Sequence, residues 1–215
     1  TAKRVASGAL GRLGVRAVMS STLTRLSPAL VAYSAAHPGV TLRLAFGTSD
    51  ENVEALRKGA CDVALVSLAT PDPPPFSAAV VEKSRVALIV PAGHRLARRR
   101  SVSLGAIGAE RLILLKEAGN PAVRRRLRQK LESAGARLEV VLEIDQLEAM
   151  LSLVASGLGV SIAPEYVTRA NDRVCAIPLE PKAHGGIKAI WDGDRPSEIV
   201  SQFLRALLGN AARVR

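Results

Sequence analysis

Aromatic and sulfur-containing side chains are scarce in this sequence. Its 215 residues include three Phe, two Tyr, one Trp and two Cys. Aromatics this few and scattered cannot build the stacking platform on which proteins bind single-stranded nucleic acid. Cys61 and Cys175 stand far apart, and two isolated cysteines form neither a disulfide framework nor a metal site. We therefore expect buried, reduced thiols and neither a metal nor a cofactor.

Long hydrophobic segments are also missing. The sequence contains no uninterrupted run of about 18 apolar residues, which a membrane-spanning helix would need. The first residues, Thr1-Ala2-Lys3-Arg4, are not followed by the apolar run of a secretory signal. We therefore expect a cytoplasmic protein with no membrane partner. Because the chain starts at Thr1 rather than at Met, we expect that it was trimmed from a longer one.

Catalytic and metal-binding motifs are absent as well. The sequence has no G-x-S-x-G elbow, no G-x-x-x-x-G-K-[ST] phosphate loop and no H-E-x-x-H pair. The turn after the first predicted strand lacks the G-x-G-x-x-G pattern of dinucleotide-binding proteins. His37, His94 and His184 are widely separated in sequence. These absences argue against an enzyme and leave no catalytic residue to nominate.

Positive charge is abundant, with 30 Lys and Arg against 19 Asp and Glu and a net charge of +11. Such a balance raises the question of a nucleic-acid partner. The runs Arg98-Arg99-Arg100 and Arg124-Arg125-Arg126 are typical of solvated surfaces, and neither zinc-finger spacing nor a helix-turn-helix is evident. We expect any DNA-reading domain to lie outside this chain.

Hydrophobic periodicity predicts alternating strands and helices in the first third of the chain. Apolar residues alternate with others over 40–46, which predicts a strand, and their helical spacing from Leu23 to Tyr33 predicts a helix. The hydroxyls that precede this helix are good N-caps. The predicted order is strand 13–18, a helix ended by His37-Pro38-Gly39, strand 40–46, a helix ended by Gly59 and a buried strand at 62–66. This order indicates a doubly wound α/β fold.

A second α/β set follows a Pro-rich loop at 71–75. Glu82-Lys83-Ser84 is predicted to join two short strands, and Pro91-Ala92-Gly93-His94 is a candidate crossover between lobes. Asp145 and Glu148 form a D-x-x-E capping box, Gly157 closes the helix that follows, and Asp194 or Ser197 caps the last helix. The predicted elements are strands at 80–81, 85–90, 112–115, 138–144, 160–163, 174–178 and 187–191, and helices at 123–134, 146–156 and from 199 onward.

Two α/β halves in one chain predict two Rossmann-like lobes with a ligand cleft between them, since clefts between domains are favoured ligand sites. In open α/β sheets, ligands bind beyond the carboxyl ends of the strands. Hydroxyls at a helix N-terminus favour a small organic acid or amide, and Lys116 could pair with the charge of an acid. The candidate ligand-binding residues that follow predicted strands are Ser20, Ser21, Thr22, Thr48, Ser67, Lys116, Asn120, Asp145 and Pro164.

Several segments, in order, resemble the effector-binding domain of LysR-type transcriptional regulators. The resemblance covers residues from about 11 to 208. The segments are Gly11-Arg12-Leu13-Gly14-Val15-Arg16, Leu30-Val31-Ala32-Tyr33 with His37-Pro38-Gly39-Val40, Leu56-Arg57-Lys58-Gly59-Ala60-Cys61-Asp62-Val63-Ala64-Leu65, Val90-Pro91-Ala92-Gly93-His94-Arg95-Leu96-Ala97 and Leu153-Val154-Ala155-Ser156-Gly157-Leu158-Gly159-Val160-Ser161-Ile162-Ala163-Pro164.

The resemblance implies a fold like that of periplasmic type 2 binding proteins. It implies a linker remnant at 1–10, a first lobe of residues 11–90 plus 181–215, and an inserted second lobe of residues 91–180. The family's ligand contacts carry over to Ser20, Ser21, Thr48, Ser67 and Asn120. The family's N-terminal winged helix-turn-helix, which binds DNA, is absent from this chain. A homodimer or homotetramer is implied, in which effector binding shifts an equilibrium that controls DNA binding.

Two other functions stay open. A solute-binding protein of a transporter would use the same fold and cleft, although the expected signal peptide is missing. A dehydratase-like enzyme on a related two-lobed fold would need a catalytic acid or base in the cleft, and the sequence offers none that we can name.

Overall fold

The structure of the chain, a computed structural model, describes residues 10–72, 74–115, 129, 132–133, 135, 139–144, 146–193 and 196–209. It divides into two compact units. The first contains the residues up to Glu82 and those from Ile187 onward, and the second contains Lys83–Gly186. The family resemblance implies crossings between lobes at 90/91 and 180/181, and these two units divide at 82/83 and 186/187.

The described residues form ten strands and four α-helices. The strands are β1 (Gly11–Ala17), β2 (Val40–Phe46), β3 (Val63–Ser67), β4 (Ser77–Pro91), β5 (Val102–Ser103), β6 (Arg111–Leu115), β7 (Glu139–Ile144), β8 (Ser161–Pro164), β9 (Val174–Glu180) and β10 (His184–Trp191). The helices are α1 (Leu26–Ala36), α2 (Ser49–Arg57), α3 (Leu147–Ala155) and α4 (Glu198–Leu208). None of these helices combines the length and the apolar character needed to cross a membrane.

The first unit is built on a sheet with the strand order β2-β1-β3-β10. β1 pairs in parallel with β2 and with β3, and β10 runs antiparallel to β3. The apolar run of β3, Val63–Val66, is fully buried, as the sequence predicts for an inner strand. Leu56 of α2 packs with Ala64, Val66 and Ile190 in one core cluster.

Helices α1 and α4 pack against each other in the first unit. The ring of Tyr33 meets the ring of Phe203 edge-on, with 5.6 Å between their centroids, and the Tyr33 hydroxyl donates to the carbonyl of Ile199 at 3.1 Å. Arg25 donates to the carbonyl of Leu208 at 2.9 Å, next to the end of α4. α4 begins after Ser197, whose hydroxyl accepts from the amide of Val200, so that Ser197 is the cap.

The second unit contains a sheet around β4, which pairs antiparallel with β8 and with β9, while β5 runs parallel to β9. β6 and β7 pair in parallel, and β6 is also bonded to Val160 through backbone hydrogen bonds of 2.8 Å at Arg111 and Ile113. Leu88, Ile107, Leu112 and Ile177 are among the buried residues of its core. Apolar residues of these short strands thus supply one continuous core.

Several sequence predictions of secondary structure need correction. The two strands expected at 80–81 and 85–90 form the single strand β4. The helix after Asp145 begins at Leu147 with Gln146 as its N-cap, and no side chain caps it. The predicted helix at 123–134 lies largely outside the described residues. Gly59 and Gly157 do follow α2 and α3, with φ of +66° and +82°, values that glycine adopts without strain.

Candidate functional site

Three strands of the first unit end at one edge of its sheet. β1 is central, because Ala17 is in register with Phe46 of β2 and with Leu65 of β3. The amide of Gly47 donates to the carbonyl of Ala17 at 3.1 Å, and the amide of Val18 donates to that of Leu65 at 3.1 Å. The loops after these three strands therefore start side by side.

A buried amide joins the three strand ends. Asn52 of α2 has no exposed surface, and its side-chain amide donates to the carbonyls of Gly47 and Leu65 at 3.2 and 3.4 Å. Its oxygen accepts from Nε of Arg16 at 3.1 Å, and that guanidinium also donates to the carbonyl of Phe46 at 3.3 Å. The hydrogen bonds of Asn52 and Arg16 thus hold the loops at this edge in place.

Gly47 is approached closely by neighbouring side chains. A Cβ atom at this position would lie 2.7 Å from Nη2 of Arg16 and 2.8 Å from a carboxylate oxygen of Glu51. A larger residue here would push these two groups away from the hydrogen bonds they make to the carbonyl of Phe46 and the amide of Thr48, so glycine is favoured at this turn.

The predicted capping role of Ser20, Ser21 and Thr22 is wrong. These residues lie in a 3-10 helix, Met19–Leu23, while α1 starts later, after Arg25, without a side-chain cap. The Ser21 hydroxyl is buried and donates to the carbonyl of Val18 at 2.6 Å, and the Thr22 hydroxyl donates to that of Met19 at 2.9 Å. These local bonds close a tight turn, and Ser20 and Thr22 are the two of the three that keep partly exposed surface.

Thr48 is exposed at the beginning of α2 and forms a capping box with Glu51. The Thr48 hydroxyl accepts from the Glu51 amide at 3.3 Å, and the Glu51 carboxylate accepts from the Thr48 amide at 2.8 Å. Hydrogen bonds from the backbone and then the side chain of Thr48 lower the pKa of the Glu51 carboxyl. Thr48 therefore fixes the start of the helix.

Ser67 ends β3 at the same edge. Its amide donates to the hydroxyl of the buried Ser49 at 3.0 Å, which ties the end of β3 to the first residue of α2. Its own hydroxyl accepts from the amide of Ala69 at 3.3 Å. The structure thus brings Ser20, Thr22, Thr48 and Ser67 onto loops that leave one edge of the sheet.

Lys188 is a charged residue near this edge that the sequence analysis did not select. It is 5% exposed on β10, next to Val66 of β3, and its ammonium group donates to the carbonyl of Thr70 and to the carboxylate of Asp72. The sequence signal was a single lysine inside the apolar segment 187–191. Such a residue points to a buried cation with a specific partner.

In the second unit, one of the four candidates can be placed. Pro164 ends β8, opposite Val86 of β4, and its ring lies 3.2 Å from where a Cβ atom of Gly185 would be. Pro164 therefore packs against neighbouring strands. Lys116, Asn120 and Asp145 lie outside the described residues.

Comparison with known proteins identifies the family. The model of the LysR substrate binding domain matches residues 6–212. The transcriptional regulator IlvR of Caulobacter vibrioides is 25% identical over 213 residues, which is 95% of this chain and 70% of that protein. The chain spans between 53% and 70% of the length of the curated relatives that it matches.

Solved structures show the same fold. The BenM effector binding domain with its effector benzoate has a TM-score of 0.73 and 20% identity, covering 92% of this chain and 90% of that one. Full-length CbnR in complex with its target DNA has a TM-score of 0.77 and 21% identity, covering 96% and 72%. The α/β fold is therefore that of LysR effector-binding domains, as the sequence predicted, and the chain belongs to the LysR substrate binding domain family.

Proposed function

We propose that this chain senses a small organic molecule and, as part of a LysR-type regulator, controls transcription. The observation that carries the proposal is the meeting of three hydroxyl-bearing loops at the carboxyl ends of β1, β2 and β3, where ligands of α/β sheets bind. Relatives named as transcriptional regulators and a similar effector-binding domain that holds benzoate support it.

A small organic acid is the ligand class that this edge suits best. Ser20, Thr48 and Ser67 are proposed contacts whose hydroxyls can bond to a carboxylate. The hydroxyls of Ser21 and Thr22 are assigned to the turn, because each donates its proton to a nearby carbonyl. Lys116, Asn120, Asp145 and Pro164 remain proposed contacts from the second unit. No catalytic step, metal or cofactor forms part of this proposal.

A thermal-shift screen of the purified chain tests the proposal. The panel contains small organic acids, among them benzoate, together with amino acids and aromatic metabolites. A compound that binds the folded state raises the unfolding midpoint by mass action, by an amount equivalent to about 2.7 kcal/mol at 100 times its Kd. We expect at least one acid to do so, and Ser67→Ala and Ser20→Ala to weaken its binding by roughly tenfold each, the worth of one good hydrogen bond.

Ser103→Ala is the matched control for these variants. Ser103 is exposed in the second unit, and its hydroxyl accepts one weak bond from the amide of Ala106 at 3.3 Å. This variant should bind the acid like the parent chain. Equal affinity in the Ser20, Ser67 and Ser103 variants would place the ligand elsewhere and contradict the proposed site.

Regulation would follow from different ligand affinities of two states. A ligand that binds one conformation more tightly shifts the population toward it, and attached DNA-binding domains would respond. We place this activity in the cytoplasm, where the DNA is. The chain alone, with its exposed Arg98-Arg99-Arg100 run, should bind DNA only weakly, without sequence preference and with a steep salt dependence. A sequence-specific footprint from this chain alone would contradict that assignment.

Self-association is part of the proposal. β2 stands at the end of the strand order of the first unit, and its Leu44 and Phe46 are 40% and 38% exposed. Apolar residues on an outer strand suit contact with a second copy, as a homodimer or homotetramer requires. Sedimentation should detect an oligomer that Leu44→Lys weakens.

A further inference from the structure

Lys188 is a cation in an otherwise apolar strand. Its neighbours Ile187 and Ala189 are buried, and Lys188 itself is 5% exposed. A buried ammonium group has lost its hydration, so it needs close acceptors. Two oxygens of the described residues accept from it, the Thr70 carbonyl and one carboxylate oxygen of Asp72.

The two acceptors differ in how firmly they are held. The Thr70 carbonyl is buried in the turn after β3, where the Thr70 amide donates to the carbonyl of Ser67 at 3.0 Å. The Asp72 side chain is 69% exposed on the Pro-rich loop, although its partner is 7% exposed. A carboxylate so exposed can turn into water when another carboxylate takes its place, whereas Lys188 cannot leave its strand.

Donor capacity remains around this ammonium group. Lysine carries three N–H donors, one more than the two acceptors that the described residues provide. The hydroxyl of Thr70 is buried and has no hydrogen-bond partner among the residues that the structure describes. A hydroxyl without a partner in a protein interior is costly, and an arriving oxygen atom would relieve that cost. The Asp72 carboxylate now occupies the position beside the Lys188 ammonium group.

We propose that Lys188 and Thr70 form a subsite for the carboxylate of a small organic acid, and that Asp72 occupies this subsite when no acid is bound. This inference rests on the proposed small-molecule role and names the ligand's charged group. The subsite lies at the end of β3, because Ile187 pairs with Ser67 and Lys188 with Val66. Asp72 then competes with the ligand's carboxylate for Lys188 and raises the ligand concentration needed for binding.

Chemical rescue by acetate tests the subsite without knowledge of the natural ligand. Asp72→Ala removes the partner of a buried cation and should lower the unfolding midpoint by roughly 3–8 °C. Sodium acetate at a concentration about ten times its Kd should restore about 3 °C or more of that loss, compared with sodium chloride at equal ionic strength. If Asp72→Ala does not fold, Asp72→Asn serves in the same comparison.

Two controls make the rescue specific. Asp72→Ala combined with Lys188→Met should show no difference between acetate and chloride. Glu165→Ala breaks the exposed ion pair with Arg85, 3.2 Å in length, and should likewise gain nothing from acetate. Equal effects of acetate and chloride on Asp72→Ala would overturn the inference. A wild-type screen without any hit would instead contradict the proposed function, so the two failures are distinguishable.

Discussion

Asn52 is a single buried side chain on α2 that holds the ends of three strands. Its amide and oxygen bond to Gly47, Leu65 and Arg16. Asn52→Ala leaves two carbonyls and a guanidinium N–H without these partners, so we expect a loss of about 2–3 kcal/mol in the free energy of unfolding. Urea titration measures it. Ser103→Ala, which removes one exposed bond, should cost less than about 0.5 kcal/mol. A similar small cost for both variants would contradict the bracing role.

Cys61 and Cys175 differ in how their thiols ionise. Burial raises the pKa of Cys61 to about 11, and it also raises the pKa of the half-buried Cys175. Only the thiolate reacts with disulfide reagents, so at pH 8 roughly one Cys61 in a thousand is reactive. We expect Ellman's reagent to label Cys175 first and Cys61 slowly in the native chain, and both at once in denaturant. The variants Cys61→Ser and Cys175→Ser assign each phase. Fast labelling of Cys61 in the native chain would contradict the burial.

Contacts between residues far apart in the chain could not be predicted from the sequence. Arg16 and Asn52 are 36 positions apart, and Lys188 and Thr70 are 118 apart, so no local pattern links them. Thr48 and Ser67 were predicted as contacts because each lies at or just after the end of a predicted apolar strand. Ser21 was selected by the same rule, although a hydroxyl can equally bond to its own backbone and become buried, as this one does.

Among the elements, the sequence predicted those with a strong internal period. β2 was predicted with its observed bounds because its apolar residues alternate. β3 was predicted one residue early, at 62–66, because it is a short apolar run. β4 was not, since Glu82-Lys83-Ser84 reads as a turn, and only pairing with neighbouring strands keeps it extended. The 3-10 helix at Met19–Leu23 was missed because its hydroxyls satisfy nearby carbonyls instead of capping α1.

The start of α2 should respond to pH through Glu51. Its pKa is lowered in the folded chain by hydrogen bonds from the backbone and then the hydroxyl of Thr48. A carboxyl with a lowered pKa stabilises the fold above its unfolded pKa, and this contribution disappears as the pH falls through the folded pKa. Glu51→Gln should therefore reduce stability at pH 7 but hardly at pH 3. Paired denaturation curves check this. A loss of stability of the same size at pH 3 and at pH 7 would contradict this role of Glu51.

At the scale of the whole molecule, the chain order constrains how the two units unfold. The first unit is assembled from segments on both sides of the second, which covers Lys83–Gly186. If the second unit unfolded alone, the first would have to close a flexible loop on the order of 100 residues, at a cost of roughly 4 kcal/mol. The sequence predicted this insertion through the family resemblance, since hydrophobic periodicity does not reveal which strands share a sheet.

The two units should therefore lose their structure together. Ile177→Ala truncates a buried side chain of the second unit and should cost about 2–5 kcal/mol. Trp191, the single tryptophan, is buried in the first unit and reports that unit alone by fluorescence. We expect Ile177→Ala to lower the midpoint seen by Trp191 fluorescence as much as that seen by far-UV circular dichroism, and Leu204→Ala in the first unit to do the same. If the Trp191 midpoint stayed unchanged while circular dichroism showed an earlier transition, the units would be independent, because the loop cost would then be too small to couple them.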